Sequence, residues 1–149
     1  MGFSHNVLFT AECVETDEFP HPRGEPLMRE IVEATRAAGW ETTEIDDWRD
    51  AGFCAVCRRA AVEVEVILAN IPDGRWFMQI CAAYIPGWYG RWKGREPSAT
   101  RADCYAVARV LHSLLSRRAA TRIEGWCRDG FPGEGDDEST PEPLPWDGE

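Results

Sequence analysis

The chain has 149 residues, 44% of them hydrophobic, and a formal net charge of −10. That is the length of one domain, enough to bury a core without disulfides or metals as staples. No apolar run approaches the ~20 residues of a membrane span and no basic-then-apolar leader opens the chain, so a cytoplasmic setting with all six cysteines reduced is expected.

In chain order, Val7 to Cys13 alternates apolar and polar residues and predicts a first strand. Glu15 to Glu25 holds Pro20, Pro22 and Gly24 and predicts a loop. Pro26 to Ala38 predicts a helix. Its apolar stripe is Leu27, Ile31, Ala34 and Ala38, with Pro26 in the first turn and Gly39 just past the end. Trp40 to Ile45 reads as a short strand, and the acidic run Asp46 to Gly52 as a polar turn. Phe53 to Arg58, Val62 to Asn70 and Trp76 to Ile85 predict an antiparallel meander. Val62, Val64, Val66 and Leu68 lie on the same face of its middle strand, and Pro72-Asp73-Gly74 supplies a turn. Pro86 to Pro97 reads as a glycine-rich loop. Ala102 to Arg118 predicts a second helix, capped by Thr100 with Asp103 three residues on, and Arg122 to Arg128 a last strand.

The resulting order, β-α-β-β-β-β-α-β, predicts an α+β two-layer sandwich. It has an antiparallel sheet of about five or six strands, with two helices on one face. Residues 1–128 form the single domain. Residues 129–149 carry eight acids and no base among Gly and Pro, and are expected to form an extended, mobile tail whose deletion leaves the melting temperature nearly unchanged. The remaining residues hold 18 acids against 16 bases, so the body is close to neutral. A near-neutral body argues against a general nucleic-acid binder. Lys93 is the only lysine among 16 basic residues, a bias that points to a GC-rich, bacterial source.

The chemistry-bearing residues are few. Cys54-Ala55-Val56-Cys57 has the spacing of a zinc or redox pair. It lies in a β-prone run, where residues three apart point to opposite faces, and the plainer reading is two structural thiols. Asp46, Asp47 and Asp50 lack the ligand spacing of a calcium loop. His5, His21 and His112 stand in no recognisable catalytic context, and no phosphate, dinucleotide, zincin or nucleophile-elbow motif is present. No cofactor or metal is expected. The most informative stretch is the loop holding Trp88, Tyr89, Arg91, Trp92, Lys93 and Arg95, because loop aromatics and arginines dominate binding hot spots. In the tail, Trp146 follows a proline-rich acidic run and is a candidate anchor. The preferred reading is a non-enzymatic protein-binding domain, an inhibitor or immunity-type partner of another bacterial protein, monomeric or homodimeric. A secretion-type chaperone, and a small enzyme or nucleic-acid module built on the 88–95 loop, are the alternatives.

Overall fold

A computed structural model describes residues 3–13, 23–48, 51–83 and 99–147. They form an α+β two-layer sandwich. Strands β1 (Ser4–Ala11), β2 (Glu41–Thr42), β3 (Asp46–Trp48), β4 (Gly52–Arg59), β5 (Val62–Ile71), β6 (Arg75–Ala82) and β7 (Thr121–Arg128) make one sheet, with helices α1 (Glu25–Ala37) and α2 (Arg101–Arg117). The strand order is β2-β4-β5-β6-β1-β7, with β3 also on β4, and every pairing is antiparallel. The first strand of the chain is therefore central, between β6 and β7. Among the described residues, no helix is long and apolar enough to cross a membrane.

Local chemistry explains the elements. Gly24, at φ 111°, precedes α1 and packs against the Trp76 ring, while Pro26 occupies the first turn. The helix ends as a Schellman motif: Gly39 N–H donates to Arg36 O at 3.0 Å and Trp40 N–H to Thr35 O at 3.1 Å, with Gly39 at φ 99°. Helix α2 starts with a complete capping box, Asp103 N–H donating to Thr100 Oγ1 and Thr100 N–H to Asp103 Oδ2. One core joins the inner sheet face (Val7, Phe9, Val64, Val66, Leu68, Trp76, Met78, Ile80, Trp126) to Leu27, Met28 and Ile31 of α1 and Val107, Leu111 and Leu115 of α2. Arg118 fastens the layers, bonding Glu30 of α1, Thr121 of β7 and the carbonyl of Glu12 just after β1.

The acidic run expected to be a turn is in part a strand. Asp46, Asp47 and Trp48 pair with Cys54, Phe53 and Gly52. Asp46 and Asp47 are exposed at the sheet's rim, and an edge strand tolerates charges that an interior one does not. Gly52, in turn, is required: a methyl group there would overlap the Leu68 carbonyl on the neighbouring strand. Gly52→Ala is expected to cost about 2 kcal/mol or more, read as a lowered urea midpoint at unchanged m-value.

Candidate functional site

The residues after β7 do not stand away from the domain. Residues 129–147 lie around the edge of β7 in two parts, a hook (129–137) and a strap (138–147). The hook is held to the N-terminal end of β1. Ser4 N–H donates to Asp129 Oδ1 at 2.7 Å, Asp129 N–H to Ser4 O at 3.0 Å, and Asn6 Nδ2 to Gly130 O. Phe131 stacks on Phe77 of the outer sheet face, with ring centroids 5.2 Å apart. The loop closes on itself through Phe131 N–H to Asp137 Oδ2 at 3.0 Å and Asp137 N–H to Glu134 O at 2.9 Å. Asp129, Gly133 and Gly135 take positive φ, which turns the chain back.

The strap then runs along the edge. Trp126 N–H donates to Thr140 O at 2.8 Å and Thr140 N–H to Trp126 O at 2.9 Å, a one-pair extension of the sheet. Arg128 is the clamp. Its Nε and Nη2 bond Glu138 at 2.8 and 3.1 Å, its Nη1 bonds the Pro145 carbonyl, and its own backbone N–H donates to Glu138 Oε1. This bidentate pairing holds the Glu138 carboxyl below its ordinary range. Gly125 makes the approach possible, since a methyl group at that position would meet the Ser139 hydroxyl.

The strap ends with Trp146 seated on His5. The two ring centroids are 4.3 Å apart, edge to face. Phe3 (6.0 Å) and the Arg101 guanidinium (5.6 Å) flank the indole, and Tyr105 of α2 stands 5.7 Å from the imidazole. His5 is 0% exposed, and among the described residues neither ring nitrogen has a hydrogen-bond partner. Burial first, then the Arg128 charge, lowers its pKa from 6.5 to about 4, against the opposing pull of Asp129 and Glu138. The seat therefore holds a neutral imidazole with one donor and one acceptor unused. His112 plays another part. Its Nδ1 accepts from the indole N–H of buried Trp126 at 3.2 Å, satisfying that donor.

The hook and strap together put Asp129, Asp136, Asp137, Glu138 and Asp147 around Arg128 and Trp146 in an open depression of about 480 Å³. Glu138 is paired with Arg128, and Asp136 and Asp147 are exposed. The outcome is an acidic surface fixed in shape, with an aromatic ring at its margin.

Of the candidates read from sequence, Trp146 is brought into a site, on its own domain. Trp88, Tyr89, Arg91, Trp92, Lys93 and Arg95 lie outside the described residues, as do His21 and Asp50. Cys57 is in the core, its thiol pushed up to about 11 by burial, while Cys54 belongs to the alternate register positions of β4 and is half-buried. Burial likewise pushes Cys81 up to about 12 and raises Cys127. Such thiols are weak nucleophiles at neutral pH. No group of three or more His, Cys, Asp or Glu placed to hold a metal occurs among the described residues. Sequence reasoning missed His5, Arg101, Tyr105, Arg128 and Glu138. The available signal was Gly125, a lone glycine in a strand pattern, which marks a bulge or a close backbone approach. Both occur: the β1–β7 register shifts at Leu8/Phe9, and Ser139 lies against Gly125.

Compared with known proteins, the chain matches no family model and no curated relative.

Proposed function

We propose that the chain is a non-enzymatic protein-binding domain, an inhibitor or immunity-type partner of a basic protein in the bacterial cytoplasm. The observation that carries this reading is the hook. It gathers four acids and no base within nine residues, on a loop whose shape is set by its own hydrogen bonds and by the Phe131–Phe77 stack. A charged surface held in one conformation binds at low ordering cost and steers an oppositely charged partner at high association rate. The arginine bias supports the bacterial assignment, and the reduced cysteines the cytoplasmic one.

The test is charge reversal at hook positions whose side chains point to solvent. Glu134→Lys with Asp136→Lys is expected to weaken capture of the partner from a host extract about tenfold or more, with an unchanged melt. Capture by the unaltered chain is expected to fall as salt rises. Equal capture by the variant, or capture insensitive to salt, would defeat the reading.

A further inference from the structure

The strap leaves its own seat incompletely used. Trp146 fills the space above His5, but it gives neither imidazole nitrogen a hydrogen-bond partner. A buried polar group left unpaired costs roughly 1–3 kcal/mol. A side chain or backbone group that filled the same space and also met the imidazole would bind better than the residue now there. Of the strap's remaining contacts, the Glu138 carboxylate on Arg128 calls for an acidic residue, and the others suit any extended chain. Thr140 engages the β7 edge through its backbone, and the Arg128 guanidinium takes the Pro145 carbonyl. Specific recognition at the far end comes from one aromatic ring between Phe3, Arg101 and His5. These are the elements by which proteins take up extended segments: an open sheet edge for the backbone and a pocket for an anchoring side chain.

The strap is joined to the hook through Gly133 N–H, which donates to Glu138 O at 3.4 Å, but it supplies none of the bonds that anchor and close the hook. The hook's bonds to Ser4 and Asn6, and its stack on Phe77, involve residues 129–131 alone, and its closing bonds run between Phe131, Glu134 and Asp137.

We infer that residues 138–147 are a built-in stand-in for an extended segment of the partner protein. That segment pairs along β7 at Trp126 and Arg128 and places its own aromatic side chain, with a hydrogen-bonding group, in the seat over His5. The inference rests on the protein-binding reading and names the partner's second contact. The acidic hook attracts the basic partner, and the segment then displaces the strap.

The probe is the peptide spanning Glu138 to Asp147, added to the full chain, with the His5 imidazole followed by nitrogen-15 NMR. In Trp146→Ala the seat is vacated, and the peptide is expected to bind and shift the His5 resonances. The unaltered chain, whose strap competes, is expected to bind it at least tenfold more weakly. A peptide with alanine in place of its tryptophan is expected not to bind. Thr140→Pro, which removes the Thr140 N–H and hydroxyl bonds and keeps Trp146, is expected to fall between the two, and serves if Trp146→Ala does not fold. No binding to either variant, or equal affinity for all three proteins, would overturn the inference. So would a concentration-dependent dimer formed by exchange of straps, which would assign the seat to a second copy. The hook keeps its charge in every protein used here, so failure of this experiment leaves the charge-reversal result standing by itself.

Discussion

Deleting residues 130–149 is expected to lower the melting temperature by roughly 10 °C or more. The deletion strips the two backbone bonds between Trp126 and Thr140, each worth about 1 kcal/mol. It takes Glu138 and the Pro145 carbonyl from Arg128, whose side chain is 26% exposed and would be left without those partners. It uncovers Phe77 on the outer face and opens the space above His5. Together these losses come to about 4 kcal/mol, and for a chain of this size each kcal/mol moves the midpoint by about 2–4 °C. The sequence alone pointed the other way, to a tail without effect on stability. Calorimetry on the truncated chain decides: a shift under about 2 °C would mean that the hook and strap contribute nothing to the fold.

The second large effect is acid sensitivity centred on His5. In the folded chain its pKa is about 4, against an ordinary 6.5. Between those values the unfolded chain binds the additional proton, so stability falls as pH drops from 6.5 toward 4 and this contribution levels off below. A depression of that size corresponds to about 3 kcal/mol. Glu138 acts in the same direction lower down, since Arg128 lowers its pKa and the stability it contributes is lost as acid protonates it. His5→Phe keeps the ring contact with Trp146 and removes the titrating group. Urea unfolding at pH 7 and pH 4.5 is expected to show a drop in the parent chain that the variant largely lacks. The variant is expected to be at least as stable as the parent at pH 7, because no buried nitrogen is left unpaired. Equal drops in both proteins would show that the imidazole is not the sensor.

The architecture was legible because burial imposes a period. Val64, Val66 and Leu68 are each 0% exposed on one face of β5, and Leu27, Ile31 and Ala34 line the buried stripe of α1, so spacing revealed both layers. Caps were legible for the same local reason, as Thr100 and Asp103 show. The short strand at Asp46–Trp48 was not, because an edge strand has no core-facing alternation to display. The site was illegible for a different reason. The strap has no period, one bridge to the sheet and prolines that suit a solvated chain equally well. What fixes it, besides Gly125 with its lone local signal, is Arg128 and a histidine at the other end of the sequence, neither of which is marked by its neighbours. Trp146 could be named as an anchor from composition, but not its seat.

The place of β1 in the sheet governs how the chain reaches this structure. Thr10 pairs with Arg75 on one side and Arg122 on the other, so the strand synthesised first is completed by the one synthesised last. The β4–β5–β6 meander closes through short turns and can assemble early, whereas β1 must wait for distant chain to come within reach. Such non-local pairing places folding on the order of milliseconds to seconds rather than microseconds. Throughout that interval the edge of β1 that will face β7 is an unprotected template on which a neighbouring nascent copy can nucleate aggregation.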